Sequence, residues 1–427
     1  MSDDNIEQIA VIDIGAHKVS LMIGKVHSPD HIEVIVAKHA SNHGMTNGKI
    51  SSLEKVSAAV KSVVQDAEEQ TNMRINAAHI AISSPDLFSE IVTGKTKINN
   101  PDGTVDNNAL IHVLDDAKLK AQNQEDYLVK AIPLGYAIDG SNEWVENPHD
   151  LSAQSMTATY QLLKFPVSTM NNIGKVLASA NVQMQDVYPS VIAMAEASLL
   201  QNERHFGVCM IEIGACTSSI SLYLKDNKLA YVKSFAIGSD LVTQEIATMW
   251  RTSREEAERI KTIHGSVDIE NTPSDQFISV NSNTGMHHYG RKELAALITA
   301  VYDRILDVLT AELIESGMIA QASQGIVLTG QGVRIDGMVN LVRKKFNVSV
   351  HLANAPTYLT AEDPALLDKI ASPIFTATSG LLLLSQQDKQ AMGLVEEQPD
   401  LTFSERMSNM WENFFRFLKS GMMGGGK

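Results

Sequence analysis

Two segments far apart in the chain share one arrangement: an apolar run, an acidic residue and a glycine turn. The first reads IAVIDIGAHK, from Ile9 to Lys18, and the second reads GVCMIEIGACTSSIS, from Gly207 to Ser221. A buried strand that ends in this way places a carboxylate, Asp13 or Glu212, beside the backbone N–H groups of the turn. N–H dipoles favour an anion and a carboxylate favours a cation, so each segment predicts a site for a phosphate chain with its metal ion.

The residues of the two turns are expected to surround the phosphates. They are Gly15, Ala16, His17 and Lys18 in the first segment, and Gly214, Ala215, Cys216 and Thr217 in the second. Asp13 is expected to hold a metal-bound water or to orient the turn. Lys18 either neutralises the phosphates or is a solvated turn lysine. His17 is interpreted as a turn residue rather than a metal ligand or a base. Cys216 is interpreted as small-residue packing, because no histidine lies near it in sequence to activate a thiolate.

A third segment, GIVLTGQGVRIDGM from Gly325 to Met338, is again an apolar strand that runs into a glycine turn. Its turn, Gly330, Gln331 and Gly332, would let a nucleoside approach the backbone closely. The turn alone is weak evidence, but its position after the two repeated segments strengthens it. The three segments together predict a duplicated α/β fold with a nucleotide between two halves.

Composition and charge narrow the class of protein. The 427 residues fit two to four domains, and the composition is that of an ordinary soluble globular protein. The formal net charge of −15 argues against nucleic acid as a main ligand. Cys209 and Cys216 are too few for a disulfide framework or a cysteine-based zinc site, so a reducing cytosol is expected. The acidic start of the chain does not resemble a signal peptide, and no run of 18 or more apolar residues predicts a membrane span.

The elements that must position these turns follow from periodicity. Three β-rich runs occupy residues 6–37, a helix is predicted over Leu53–Asn72, and a strand follows from Ala78. A compact α+β insert of about 80 residues begins after Ser83. One helix is predicted over Ser190–Gln201, and an apolar helix over Pro373–Leu384 would close the core.

The end of the chain has a different texture. Residues 386–402 are polar and without a pattern, which predicts a flexible linker. Beyond them an apolar stripe lies on one face of a predicted helix, made of Phe403, Met407, Met410, Trp411, Phe414, Phe415 and Leu418. This stripe favours an amphipathic helix in the plane of a membrane surface. Docking into a partner groove or onto the protein's own core remains as an alternative.

In order and spacing, DIGAHK, EIGACTSS and GIVLTGQGVRIDGM resemble the phosphate-1, phosphate-2 and adenosine motifs of the actin/Hsp70/sugar-kinase superfamily. Within that superfamily, nearly the whole chain resembles the FtsA family of bacterial cell-division actin homologues. Further segments carry this resemblance: HGMTNGKISSLEKV, EEAERIKTIHG, the insert after Ser83, and the linker with its amphipathic tail.

The resemblance implies a domain organisation. Subdomain 1A would comprise residues 1–83 and 165–203, and the subdomain 1C insert residues 84–164. Subdomain 2A would comprise residues 204–238 and 317–385, and subdomain 2B residues 239–316. The linker would span residues 386–402, and the membrane-targeting helix and tail residues 403–427.

The resemblance also implies a function. Proteins of this family bind ATP with Mg²⁺, polymerise under the inner membrane and anchor the FtsZ ring by its C-terminal peptide, at the cytoplasmic face of the division site. Their 1C subdomain contacts later division proteins. Glu258 and Lys261 match residues near the ribose and adenine. Arg291, Lys292 and Arg304 lie in the region that would receive the acidic FtsZ peptide.

The second motif departs from the family pattern DxGGGTxD. Glu212 replaces the first aspartate, Ala215 and Cys216 replace two glycines, and Ser219 replaces the last aspartate. The added Cβ atoms crowd the turn, and one carboxylate that would position water or Mg²⁺ is lost. We therefore expect nucleotide binding with weak or absent hydrolysis. The alternatives are a small-molecule kinase of the superfamily, or a pilus-assembly actin homologue that binds the peptide of an inner-membrane partner.

Overall fold

The computed structural model describes residues 7–28, 31–282, 285–317, 319–356 and 358–393. Within them, two large mixed sheets define two halves of the molecule. The strands of the first sheet are β1 (Glu7–Ile14), β2 (Lys18–Ser28), β3 (His31–Ser41), β6 (Ala77–Ile82), β10 (Gln183–Pro189) and β18 (Leu359–Thr360). Their spatial order is β10-β6-β1-β2-β3-β18, with β1 parallel to β6 and antiparallel to β2.

The second sheet repeats this plan. Its strands are β11 (Val208–Ile213), β12 (Ser218–Leu224), β13 (Lys228–Phe235), β16 (Ile326–Thr329) and β17 (Val350–Leu352). Their order is β13-β12-β11-β16-β17, and β11 is antiparallel to β12 and parallel to β16. Each sheet therefore contains a buried central strand with a hairpin on one side and a parallel strand on the other.

Helices cover the first sheet. They are α1 (Leu53–Thr71), α3 (Val167–Ser179), α4 (Ser190–Ser198), α10 (Pro364–Ile370) and α11 (Thr376–Gly393). The short helix α5 (Gln201–Phe206) follows α4 and contacts β12 of the second sheet. The side chain of Ser52 caps α1, which ends at Asn72 in the left-handed conformation. The single helix predicted over Ser190–Gln201 is wrong, because Leu199 and Leu200 are extended and separate α4 from α5.

Helix α4 lies deep in the molecule, in contact with both α11 and β12. Nearly every residue of α4 is buried, as expected of a helix that is apolar on all sides. A Cβ atom on Gly380 of α11 would lie 1.7 Å from the Ala193 carbonyl oxygen, so this glycine lets α11 and α4 touch backbone to backbone. Through α4, the core of the first half reaches β12 of the second sheet.

The insert between β6 and α3 has its own small core. It consists of β7 (Phe88–Lys97), α2 (Asn107–Lys120), β8 (Asp126–Ile138) and β9 (Ser155–Pro166), with the antiparallel order β7-β9-β8. The Asp106 side chain caps α2. The insert also contacts the second sheet, since the Ser89 hydroxyl donates to the Val232 carbonyl at 3.1 Å.

The second half carries the remaining elements. They are α6 (Asp240–Met249), α7 (Arg254–His264), β14 (Phe277–Ser282), β15 (Gly285–Gly290), α8 (Arg291–Ser316) and α9 (Met338–Phe346). A short hairpin, β4 (Met45–Thr46) and β5 (Lys49–Ile50), precedes α1 in the first half. The side chain of Ser253 caps α7 by accepting from the Glu256 N–H.

Helix α11 is longer than the sequence analysis predicts. A patternless linker was expected from residue 386, whereas α11 continues to Gly393. The predicted tail, residues 403–427, lies outside the described residues. Among the residues the structure describes, no single helix is long and apolar enough to cross a bilayer, and only the bent pair Pro364–Ile370 with Pro373–Gln386 reaches that length together.

Candidate functional site

The two repeated segments form the same hairpin in the two halves. In the β1–β2 pair Asp13 lies opposite Ser20, and in the β11–β12 pair Glu212 lies opposite Ser219. Each acid sits one residue before the end of its strand, and each strand has a parallel neighbour on its other side. Residues 13–20 therefore correspond one to one with residues 212–219.

The turns of the two hairpins are closed by the same hydrogen bond. The Gly15 N–H donates to the Lys18 carbonyl at 2.9 Å, and the Gly214 N–H donates to the Thr217 carbonyl at 2.8 Å. Ala16 and Ala215 correspond inside these turns. The backbone of the predicted phosphate-binding device is thus built twice.

Asp13 is buried and has one specific partner. Asp13 is 2% exposed, and its Oδ1 accepts a hydrogen bond from the Ser190 hydroxyl at 2.8 Å. Burial raises the pKa of Asp13 above its ordinary value, while the Lys18 ammonium and the Ser190 hydroxyl oppose that shift. Ser190 opens α4, and no local signal in the sequence marks it as a partner of Asp13.

Lys18 turns towards the protein backbone. Its Nζ donates to the Ile374 carbonyl at 2.5 Å and lies 3.5 Å from the Pro373 carbonyl, just before α11. Burial lowers the pKa of Lys18 to about 8, although the carboxylates of Asp13 and Glu212 favour the charged form. Lys18 therefore connects the first turn to the segment before α11, and its charge acts on both carboxylates.

Glu212 is buried at the end of β11. Burial, with the charge of Asp13 second, raises the pKa of Glu212 to about 8, while a hydrogen bond with Ser219 and the charge of Lys18 oppose the shift. Asp13, Lys18 and Glu212 form one electrostatically coupled group, although they belong to the two different sheets. The structure thus brings the two predicted devices together.

The third segment packs directly on the second device. Gly330 has φ of +93°, and a Cβ atom there would lie 2.5 Å from the Ile213 carbonyl oxygen and 3.2 Å from Glu212 Oε1. A Cβ on Gly332 would lie 2.7 Å from the same carbonyl oxygen. The 3₁₀ turn Gln331–Arg334 follows, and its Gly332 carbonyl accepts from the Tyr302 hydroxyl at 2.6 Å. Only glycine fits these positions without rearrangement.

The pair predicted near the nucleoside lies on α7, beside the start of α6. Lys261 Nζ is 2.6 Å from Glu258 and donates to the Thr243 hydroxyl at 2.8 Å. The same ammonium is 3.4 Å from the Ser239 carbonyl, and the Ser239 N–H donates to the Gly214 carbonyl at 2.9 Å. The pair is therefore connected to the second turn through the first residues of α6.

The loop after β3 fastens both turns, which the sequence analysis missed. The buried Asn42 donates from Nδ2 to the Gly15 carbonyl at 2.8 Å, and its N–H donates to the His17 carbonyl at 2.7 Å. Gly48, with φ of +74°, lies so close to the second turn that an added Cβ would be 2.5 Å from Thr217 Cγ2. A loop of the first half therefore closes over the turn of the second half.

The space between the turn of residues 15–18 and the turn of residues 214–217 is called the cleft below, and His17 and Asp240 approach each other across it. His17 Nε2 lies 3.7 Å from Asp240 Oδ1, and Arg254 also pairs with that carboxylate. Burial lowers the pKa of His17, although the Asp240 charge opposes the shift. No sequence pattern marks Asp240 as a partner of His17, although Gly238 and Ser239 before it are a recognisable helix start.

The structure does not bring the three predicted FtsZ-peptide residues together. Arg291 and Lys292 begin α8, whereas Arg304 lies 13 residues further along it, about 20 Å away at the helical rise. Arg291 Nη1 donates to Gln276 at 2.9 Å, and Arg304 lies 3.7 Å from Glu245 on α6. The seven predicted membrane residues, from Phe403 to Leu418, lie outside the described residues.

Comparison with known proteins gives a consistent family. A family model described as Cell division protein FtsA matches residues 209–380, and one described as SHS2 domain inserted in FTSA matches residues 86–164. The Cell division protein FtsA of Pseudomonas aeruginosa is 26% identical over 390 residues, which cover 91% of both chains.

Solved structures agree on the fold. A chain of the PilM-PilN type IV pilus biogenesis complex has a TM-score of 0.62 at 15% identity and covers 88% of this chain and 98% of its own. MreB5 of Spiroplasma citri bound to ADP has a TM-score of 0.54 at 12% identity and covers 91% of this chain and 98% of its own. These likenesses show an actin-like ATPase fold, as predicted. The two family models together match more than half of the chain, and the chain belongs to the FtsA family of actin-like cell division proteins.

Proposed function

We propose that this chain binds ATP with Mg²⁺ between its two halves, polymerises, and tethers the FtsZ ring to the inner membrane during cell division. The observation that carries the nucleotide part is the coupled group of Asp13, Lys18 and Glu212 where the two matching hairpins meet. Backbone turns from both halves and charges of both signs converge there, which is the chemistry that a phosphate chain and its cation require.

The donor atoms fit Mg²⁺. Magnesium prefers oxygen ligands, usually one or two carboxylates and several waters. Asp13 and Glu212 are both buried and both have a raised pKa, so the protein alone stabilises their ionised forms incompletely. A divalent cation near them would compensate these charges and neutralise the phosphates. Asp13 would hold it through water.

The nucleoside would lie against the third segment. Gly330 and Gly332 have no room for a side chain, so this turn leaves backbone rather than side chains for a ligand to contact. The α7 pair Glu258 and Lys261 lies beside the second turn and would contact the ribose and adenine. Gln331 opens the 3₁₀ turn between the two glycines.

Hydrolysis would be slow. At the position where the family pattern has an aspartate, Ser219 is buried and shares a hydrogen bond of 2.9 Å with Ser234. A serine held in this way supplies no carboxylate to orient water or to act as a base. We expect steady-state turnover below about 1 per second, the low end of ordinary enzyme rates. The same loss argues against a small-molecule kinase.

The membrane and FtsZ parts rest on the sequence and on the family. The apolar stripe from Phe403 to Leu418 supports in-plane membrane binding, since several large side chains would each contribute about 1.5–3 kcal/mol on burial. Arg291 and Lys292, which start α8, offer positive charge to the acidic FtsZ peptide. Arg304 would require a longer peptide. The insert would meet later division proteins.

Co-sedimentation with anionic liposomes, with and without ATP and Mg²⁺, tests the tethered-polymer proposal. The full chain is expected to pellet and to form filaments on lipid, and a chain truncated after Pro399 is expected to stay in the supernatant. The double variant Trp411→Glu with Phe415→Glu should behave like the truncation, while the polar-face control Glu412→Gln should bind as the full chain does. Pelleting of the double variant at the level of the control would contradict membrane binding through this stripe.

A further inference from the structure

We propose that His17, Cys216 and Asp240 form a Zn²⁺ site that joins the two halves at the opening of the cleft. One ligand atom from each residue, an imidazole nitrogen, a thiol sulfur and a carboxylate oxygen, lies within 4.8 Å of the other two. His17 belongs to the first half, whereas Cys216 and Asp240 belong to the second. A metal bound here would be a direct link between the halves.

The spacing suits a small tetrahedral ion. Zinc bonds to nitrogen, oxygen and sulfur are about 2.0–2.3 Å long, so two ligands of a tetrahedral site lie about 3.6 Å apart. His17 Nε2 and Asp240 Oδ1 are 3.7 Å apart already. The third atom is no more than 4.8 Å from either, so an inward movement of about 1 Å completes the geometry.

The backbone already fixes the residues that carry these ligands. The His17 carbonyl accepts from the Asn42 N–H at 2.7 Å, and the Asp240 N–H donates to the Ala215 carbonyl at 2.8 Å. The Ser239 N–H donates to the Gly214 carbonyl at 2.9 Å, which helps to fix the turn that carries Cys216.

The duplication explains why the ligands meet. His17 and Cys216 occupy corresponding positions in the two hairpins, because residue 17 aligns with residue 216 when Asp13 aligns with Glu212. The two turns face each other across the cleft, so these positions approach one another. Asp240 joins them because α6 starts against the second turn.

The mixed ligand set identifies the class of metal. Mg²⁺ and Ca²⁺ prefer oxygen ligands alone, whereas imidazole and thiolate favour Zn²⁺ among the ions available in a reducing compartment. Three protein ligands leave a fourth position for water. If the proposed nucleotide site is correct, a phosphate oxygen would reach the same position, but metal binding itself does not depend on that.

The test uses the full chain, reduced, metal-free and without nucleotide. Zinc affinity is measured by competition with a chromogenic chelator, and Co²⁺ is used as a spectroscopic probe. We expect one equivalent of either metal per chain and a thiolate-to-cobalt charge-transfer band. Cys216→Ser and His17→Asn should each weaken zinc binding by more than about 100-fold, since losing even an outer-shell partner costs 10–100-fold.

Two matched variants control for damage to the fold. Cys209→Ala removes the other cysteine, which is buried in β11, and His43→Asn removes an exposed histidine near the cleft. Both should retain wild-type zinc affinity. Unchanged affinity in Cys216→Ser or His17→Asn, a cobalt spectrum without the thiolate band, or an equal loss in Cys209→Ala would each overturn the proposal. Because nucleotide is absent, these outcomes leave the proposed ATP site untouched.

Discussion

The β1–β2 hairpin and the β11–β12 hairpin have one backbone and two different sets of side chains. Both place an acid opposite a serine and close the turn with a glycine N–H. The first hairpin ends in Lys18, whose ammonium binds backbone carbonyls before α11, whereas the corresponding residue of the second hairpin is the uncharged Thr217. The two hairpins share one turn geometry, but of the two corresponding residues only Lys18, in the first hairpin, is positively charged.

The acids of the two hairpins also differ in their surroundings. Asp13 accepts a hydrogen bond from the Ser190 hydroxyl, which belongs to α4. Glu212 is hydrogen-bonded to Ser219 of its own hairpin and lies against Gly330. The longer side chain of Glu212 brings its carboxylate over its own turn, since a Cβ on Gly214 would be 2.7 Å from Oε1. The second hairpin is thus more crowded than the first, and the ionised form of its acid has fewer stabilising partners.

The largest expected effect comes from removing the ammonium group of Lys18. Lys18→Met should destabilise the protein by about 3 kcal/mol, because it leaves two buried carboxylates and the carbonyls before α11 without their positive partner. The corresponding Thr217→Val should cost less than about 1 kcal/mol. Urea unfolding of both variants measures the difference. Equal losses of unfolding free energy in the two variants would contradict the conclusion that only the first hairpin depends on a positive charge at this position.

A second, smaller difference concerns crowding. Gly214→Ala should cost about 2 kcal/mol, within the range for overpacking a filled site, because the new Cβ would meet Glu212 Oε1 at 2.7 Å and the Thr217 carbonyl at 3.0 Å. Gly15→Ala should cost less, since its nearest atom would be the Lys18 carbonyl oxygen at 3.1 Å. Thermal unfolding of the pair ranks them. A larger loss of stability in Gly15→Ala than in Gly214→Ala would contradict the conclusion that the second turn is the more crowded one.

The smallest expected effect depends on pH. In the folded protein the pKa of Glu212 is raised from 4.5 to about 8. The unfolded chain therefore loses this proton at lower pH than the folded protein does, and stability falls as pH rises from about 4.5 to about 8. Glu212→Gln should remove this penalty and gain on the order of 1 kcal/mol near pH 8, part of the gain being offset by weaker hydrogen bonding to Ser219.

Melting temperatures between pH 5 and pH 8 test this expectation. The stabilisation by Glu212→Gln should shrink towards pH 5, where the ordinary pKa of 4.5 brings the carboxyl of the unfolded chain close to protonation as well. The exposed Glu255 on α7 supplies the control, and Glu255→Gln should show no gain that grows with pH. If the difference in melting temperature between Glu212→Gln and the wild type is constant from pH 5 to pH 8, the raised pKa of Glu212 does not destabilise the second hairpin.

The sequence predicts the local parts of this molecule well. The two hairpins, the glycine turn at Gly330, helix α1 and the cap at Ser253 all follow from patterns within about 20 residues. The sequence also predicts the duplication, because the same motif occurs twice. All these features depend on strand periodicity and turn chemistry, which can be recognised within a single segment.

What the sequence did not predict depends on contacts between distant segments. Ser190 reaches Asp13 because α4 is buried between the sheets, and no pattern in either segment reveals this. Cys216 was interpreted as packing because no histidine is near it in sequence, yet His17 meets it across the cleft. Helix α11 extends past residue 386 although its sequence there is polar, which periodicity analysis interprets as a linker.

The most direct test of the central claim, a nucleotide held between both hairpins, is equilibrium binding of a fluorescent ATP analogue with Mg²⁺. The wild-type chain is expected to bind one nucleotide. Asp13→Asn and Glu212→Gln, one change in each hairpin, should each lower the affinity by at least about 10-fold, because each removes a carboxylate from the cation's surroundings. Unchanged affinity in either single variant would place the nucleotide outside the space that the two hairpins share, and would contradict this account.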